Sequence, residues 1–244
     1  PDAALLARLA MVGHSRLGDM LLAQGDGSGA LREHRGFFAL ARAAAERDPA
    51  SATARRNLAV AHQKIAQDML AIEDAEQGLR SGREALTIVD ELASEDAASA
   101  QLRFDAAATR RIMAEALLRM GRVDEAVREI ESAAATFRNL LDEDEGNVGL
   151  RHAWVDALAV MSEAQLEAGR VDAAAATAER GLGAVEGDGA CLRALAAARA
   201  AQDRRDEAIT LLRGALESLE KDGGGDARLR DRVRRELGAL EGSG

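Results

Sequence analysis

The side chains able to do chemistry are few and scattered. Four histidines, His14, His34, His62 and His152, are the candidates for metal ligation or proton transfer. His14 and His62 occupy equivalent points of an internal repeat. On neighbouring helices they would lie about 10 Å apart, too far to share one metal without further ligands. The histidines are therefore expected as partly buried packing residues. Cys191, the single cysteine, has no Cys-x-x-Cys partner and is expected to pack as a small apolar side chain. Trp154, the single tryptophan, is expected in the core. The run Asp142-Glu143-Asp144-Glu145 lacks the spaced oxygens and distal Glu of a calcium loop, so it reads as a solvated interhelix loop carrying an N-cap. Gly25-Asp26-Gly27-Ser28-Gly29 is glycine-rich, but no strand precedes it, and it reads as a plain turn between helices. A phosphate loop with its Lys, a Gly-x-Ser-x-Gly elbow and a His-Glu-x-x-His pair are all missing from the sequence. The expectation is a protein that is not an enzyme and holds no metal or cofactor.

Arginines form two columns, Arg32, Arg80 and Arg128, and Arg55, Arg103 and Arg151. Such ladders grip acidic peptides or phosphates, but more often pair with Asp and Glu on the next helix. The net charge of −10 disfavours nonspecific nucleic-acid binding, which needs cations to displace phosphate counterions, although a local basic stripe remains compatible with it. No apolar run approaches the roughly 20 residues of a membrane span, and no signal peptide is visible. A lone cysteine suits a reducing compartment, so a cytoplasmic location is expected. A chain opening on Pro1 rather than Met reads as a piece of a longer protein.

The elements that position these residues are helices. Aromatics are 2% of the chain, Tyr is absent, and the apolar content is largely Ala and Leu, good helix formers that suit a β-sandwich poorly. The helices repeat. Gly121-Arg122-Val123-Asp124-Glu125-Ala126 returns as Gly169-Arg170-Val171-Asp172-Ala173-Ala174, 48 residues on. The same step back reaches Glu73-Asp74-Ala75-Glu76-Gln77-Gly78 and then Gly25-Asp26-Gly27-Ser28-Gly29-Ala30. Asp203-Arg204-Arg205-Asp206-Glu207-Ala208 follows Gly169 after 34 residues. Seven residues before each turn comes a small residue: Gly18, Ala66, Ala114, Ser162 or Ala196. A large apolar one precedes it: Leu17, Ile65, Met113, Met161 or Leu195. After the turns come Phe37-Phe38, Ala85-Leu86, Ala133-Ala134, Gly181-Leu182 and Ala215-Leu216. Small residues let helices approach closely, and their large neighbours fill the groove beside them.

A large–small pair, then a Gly-x-x-[DE]-x-Ala turn, then Ala-Leu resembles the tetratricopeptide repeat over about residues 4–221. The last step has that family's length; the others are longer by 14 residues, about two extra turns on each helix. Segments such as Arg16-Leu17-Gly18-Asp19-Met20-Leu21-Leu22 are similar to the long repeats of bacterial multidomain regulatory proteins. The family's aromatic positions here are mostly Ala or Leu, and the second turn has lost its Gly.

The implied fold is all-α: a right-handed α-solenoid of five antiparallel helix pairs in a single domain spanning 1–244. The repeats are placed at about 4–47, 50–95, 98–142, 147–184 and 188–220. Helices are expected at 4–24, 28–47, 50–73, 76–95, 98–120, 123–142, 147–168, 171–184, 188–202 and 205–220. Asp48 before Pro49 reads as an N-cap followed by Pro at the first helical position, repeated by Asp96 and Asp144. Gly223-Gly224-Gly225 interrupts the pattern. A capping helix at about 226–241 then sets Leu229, Val233, Leu237 and Leu240 inward and Arg228, Arg232 and Arg235 outward.

In the family, the first helix of each pair lines a concave groove that holds an extended peptide or a helix. The resemblance places Val12, Ser15, Asp19 and Leu22 there, then Val60, Gln63 and Gln67. Arg111, Glu115 and Arg119 follow, then Asp156, Glu163 and Glu167, and finally Arg193. The family's carboxylate-clamp positions hold Ser15 and Asp19, Gln63 and Gln67, and Arg111 and Glu115 rather than Lys and Asn, so a chaperone-tail adaptor is not implied. The implied partner is a protein or peptide, with neither nucleic acid nor membrane. Alternatives are a homodimerising array and a sensor for a small ligand or signal peptide.

Overall fold

Five residues at the repeated turns adopt left-handed backbone: Gly25, Glu73, Gly121, Gly169 and Asp203, with φ of 87°, 65°, 70°, 74° and 59°. At four of them a paired hydrogen bond closes the preceding helix. Asp26 N–H donates to the Leu21 carbonyl (2.9 Å) and Gly25 N–H to that of Leu22 (3.0 Å), and the turns at Glu73, Gly169 and Asp203 repeat the pair. The turn is a backbone requirement, met by Gly where the sequence supplies it and by Glu73 and Asp203 where it does not.

The computed structural model describes residues 3–221 and 227–242, and within them the side chains from residue 5 onward. Eleven helices lie among these residues. They are α1 (Ala3–Ala23), α2 (Gly27–Arg47), α3 (Ala52–Ala71), α4 (Ala75–Glu95), α5 (Ala100–Arg119), α6 (Val123–Glu143), α7 (Val148–Glu167), α8 (Val171–Ala184), α9 (Gly189–Ala201), α10 (Arg205–Lys221) and α11 (Ala227–Glu241). The chain divides into two compact units, Pro1–Met120 and Gly121–Gly244. In the first, each of α1 to α5 packs on its sequence neighbour, and α3 also meets α5. In the second, α6 to α11 do the same, and α7 also meets α9. The fold is all-α, of the antiparallel helix-pair kind. Helices α1 to α7 run 20 or 21 residues, while α8 and α9 shorten to 14 and 13, as the change of repeat length requires.

The small residues of the repeat are buried: Gly18, Ala66, Ala114, Ser162 and Ala196. So are the last residues of the turn motif, Ala30, Gly78, Ala126, Ala174 and Ala208. A Cβ on Gly18 would collide with the His34 ring, and one on Gly181 with Cys191 Sγ. Ser162 adds a bond, its hydroxyl donating to the Ala174 carbonyl at 2.8 Å. Cys191 packs as expected, with burial pushing its thiol far above the ordinary range. Trp154 is buried and carries the Arg138 guanidinium over its ring at 5.0 Å.

The capping expectation needs correction. Asp48, Asp96 and Asp144 end α2, α4 and α6 rather than start the next helices. Three residues later Ser51, Ser99 and Asn147 are the N-caps, their side chains accepting from the N–H groups of Ala54, Leu102 and Leu150. A turn joins the two, with the cap residue's N–H on the Asp carbonyl at 3.1, 3.2 and 3.0 Å. Pro49 sits in that turn, ahead of the helix, because its fixed φ suits the turn equally well. Asp142 and Glu143 are likewise helical, so half of the acidic run is the end of α6, and only Asp144 and Glu145 lie in the connection. The interrupting glycines 223–225 lie outside the described residues. The capping helix does pack its expected stripe: Val233 is fully buried against Leu212, Ala215 and Leu219, with Leu229, Leu237 and Leu240 around it.

Candidate functional site

Two charged clusters stand on the first helices of the repeats, where sequence reasoning placed the partner surface. In the first unit, Asp19 on α1 takes a 2.6 Å ion pair from Lys64 on α3 and lies 3.3 Å from His34 Nε2. His34 Nδ1 lies 2.7 Å from Asp68 Oδ2, and both side chains are wholly buried. Burial works against the charged imidazole, but hydrogen bonds to Asp19 and Asp68 and the Asp68 charge outweigh it, raising His34 to about 9. His34 is thus a buried imidazolium between two carboxylates, not the partly buried packing residue expected. The sequence carried a signal for it: Gly18 marks the space that the ring fills. The partner Asp68 had none, because burial of an aspartate is decided by the helix in front of it.

His14 and His62 are half-buried, as the packing expectation has it, whereas His152 is exposed on α7. His14 pairs with Glu33 at 2.8 Å. His62 meets the Phe38 ring edge-on at 4.9 Å, and burial pulls it below its ordinary value. Among the described residues no group of three or more His, Cys, Asp or Glu could hold a metal ion. No described helix is long and apolar enough to cross a membrane.

In the second unit, Glu163 on α7, Arg193 on α9 and Arg232 and Glu236 on α11 close a ring. Arg193 reaches Glu163 at 2.6 Å and Glu236 at 3.3 Å; Arg232 reaches Glu163 at 2.7 Å and Glu236 at 3.0 Å. Burial alone would raise the Glu163 carboxyl, but the charges of Arg193 and Arg232 hold it below its ordinary value. Arg193 is buried in this ring. Arg232, expected to face outward from the capping helix, does stay half-exposed, and from there its guanidinium reaches across to Glu163 on α7.

The remaining sequence-derived residues are divided. Val12 and Asp19 are exposed, and Ser15 and Leu22 half-buried, on α1. On α3, Val60, Gln63 and Gln67 are half-buried. Neither glutamine amide has a partner among the described residues. On α5, Arg111 and Glu115 bind each other one turn apart, and Arg119 donates to the Leu70 carbonyl. On α7, Asp156 and Glu167 are exposed. Of the arginine columns, Arg55 pairs across helices with Glu91 and Glu95, Arg80 stays on its own helix with Glu76, and Arg151 donates to the Glu145 carbonyl. The structure thus leaves open amides in the first unit, and in the second takes Glu163 and Arg193 into its own framework.

Comparison with protein-family models and with curated proteins gives no match. Solved structures do match. A thermophilic TPR protein from Thermus thermophilus is 20% identical over 93% of this chain and 98% of that one, with a TM-score of 0.55. BtubC from P. vanneervenii is 17% identical over 87% and 82%, with a TM-score of 0.60. A Rap protein complexed with competence and sporulation factor is 14% identical over 97% of this chain and 64% of that one, with a TM-score of 0.60. With the five left-handed turns and the buried small residues, these likenesses establish the chain as a tetratricopeptide-like helical repeat protein in fold.

Proposed function

We propose that the chain is a non-catalytic interaction module that binds an extended peptide or protein segment along the first helices of its repeats. The open amides of Gln63 and Gln67, beside the Asp19–Lys64 pair, carry this reading. A carboxamide both donates and accepts, so a row of them on one helix face matches the alternating N–H and C=O groups of an extended chain. Val12, Ser15 and Leu22 on α1, Val60 on α3, and Arg111, Glu115 and Arg119 on α5 complete the surface. Asp156, Glu163, Glu167 and Arg193 form its counterpart in the second unit, where α11 already engages Glu163 and Arg193. The complexed Rap protein, which this chain matches over 97% of its own length, supports a binding role for such a fold.

The proposal extends to context. The two units form a single repeat domain over 1–244, since the 48-residue step continues unchanged from Glu73 through Gly121 to Gly169. The module serves as a scaffolding or regulatory part of a larger bacterial protein, working in the cytoplasm without a cofactor, and takes neither nucleic acid nor membrane as its partner. The test is a displayed library of random peptides selected on the wild-type chain. Binders are expected, and Gln63→Ala with Gln67→Ala should weaken them about tenfold, the worth of one or two hydrogen bonds. Binders unaffected by that pair remove this surface from consideration.

A further inference from the structure

A cleft of about 380 Å³ opens between α9 and α10 in the second unit. Leu195 and Leu211 floor it, and Arg199, Asp206, Glu207 and Thr210 stand around it. Helix α8 already packs on α9, and α11 on α10. The opening is therefore not the bare end of a repeat stack. Leu195 and Arg199 come two residues after Arg193 and Ala197, the repeat equivalents of Ser15 and Asp19. At 3.6 residues per turn that sets them about 200° round α9, so the cleft lies away from the surface proposed above.

Two of its residues reverse the chemistry that the repeat sets. Leu211 is half-buried where the other second helices carry Glu33, Ser81, Glu129 and Thr177. Arg199 stands where the other first helices carry Leu21, Met69, Leu117 and Gln165, of which Met69 and Leu117 are buried apolar residues. An apolar side chain has thus come to a polar position, and a cation to a place of apolar packing. The packing beneath is thin as well. Leu195 and Leu211 rest on Ala174, Ala175, Ala178, Ala194 and Ala198. Ala175 takes the position at which α2, α4 and α6 bury Leu31, Leu79 and Val127.

Charge selects what can enter. The Arg199 guanidinium is already held by Glu179 on α8, by Gln202 at 2.8 Å and by Glu207 at 3.8 Å. Glu207 also accepts two bonds from Arg204, both at 2.6 Å. Asp206 is exposed, and its carboxylate has no partner among the described residues. The lining thus offers a free carboxylate and no free cation, over an apolar floor. An anion is repelled there, whereas an apolar side chain with a cation beside it meets both parts. The volume is at the small end of ligand sites, which run to about 300–1,000 Å³, and suits a side chain rather than a whole peptide. We propose that the cleft docks a segment of a partner protein, which inserts one large apolar side chain and sets an Arg or Lys, one helical turn away, on Asp206.

Two helical, alanine-rich peptides test this on the full chain. Each has one central Leu; one carries Arg a helical turn after it, and the other Glu. Titration is followed through the leucine methyl resonances of the chain. Shifts are expected at Leu195 and Leu211, with the Arg peptide binding about fivefold tighter than the Glu peptide. Leu211→Glu, which copies Glu33 and Glu129, should weaken the Arg peptide at least about tenfold. Leu211→Ser, which copies Ser81, should do the same and serves if the first variant loses helicity. Asp206→Asn should bring the two peptides to equal affinity. Gln63→Ala with Gln67→Ala should change neither, which separates this cleft from the surface proposed above. No methyl shift at millimolar peptide overturns the proposal, as does binding that Leu211→Ser leaves intact. Equal affinity of the two peptides for the wild type overturns the assigned partner chemistry.

Discussion

The same joint of the repeat is built in two ways. Where α2 meets α3, the contact residues are His34 and Asp68, both buried and 2.7 Å apart. At the equivalent positions of α6 and α7 stand Ile130 and Ala164, both fully buried. Within the first unit, α4 and α5 use Gly82 and Ala116 there. The joint thus accepts different chemistries, and over Gly82 the space is taken by the Met113 side chain of α5. An imidazole and a carboxylate fill roughly the space of a branched and a short apolar residue, provided that each neutralises the other. Breaking the polar version is costly because it strands a charge; breaking the apolar one leaves only a cavity.

The largest expected effect follows from that contrast. His34→Ala should destabilise the first unit by about 3–5 kcal/mol, because Asp68 is left buried and unpaired. Hydrogen exchange in α2 and α3 should report it, while Trp154 fluorescence follows the second unit. His34→Ile with Asp68→Ala, which copies the second unit, should recover most of the loss. A double variant as unstable as the single one would break the comparison.

Next comes pH. His34, at about 9 in the fold against an ordinary 6.5, contributes stability that is complete below 6.5 and lost as pH rises through 9. The loss should reach about 3 kcal/mol in the first unit. The Glu163 ring behaves oppositely: its contribution is present above the ordinary 4.5 and fades as pH falls through the lower folded value. Exchange profiles measured from acid to alkali should show α2 and α3 weakening at the alkaline end. The α7 and α9 contacts should weaken at the acid end; coincident loss in both units would contradict this assignment.

Arg232→Ala should cost about 1 kcal/mol or less, since Arg232 is half-exposed and Arg193 still neutralises Glu163. Urea unfolding followed by Trp154 fluorescence checks this. The smallest effect contrasts two turns: Glu73→Gly should stabilise by about 0.5 kcal/mol, relieving the left-handed backbone that Gly121 and Gly169 adopt freely. A loss of melting temperature would mean that the Glu73 side chain has a role the turn does not show.

Much of this protein was legible in its sequence. The turns at 25, 73, 121, 169 and 203, the buried small residues and the apolar stripe of the capping helix are local patterns. They follow from what φ > 0 demands and from what close helix approach permits. Helix starts after Asp48, Asp96 and Asp144 were misplaced because an Asp suits the end of one helix and the cap of the next equally well. Only the hydrogen bonds to Ser51, Ser99 and Asn147 decide between them.

What the tertiary structure alone decided is the pairing of charges. Asp19, Lys64, His34 and Asp68 come from three helices, and Glu163, Arg193, Arg232 and Glu236 from three others, at separations no periodicity encodes. Whether a polar residue on a repeat's first helix faces a partner or a neighbour depends on which side chain arrives opposite it. That is why Gln63 and Gln67 remain open to a ligand while Glu163 and Arg193 are spent on the fold.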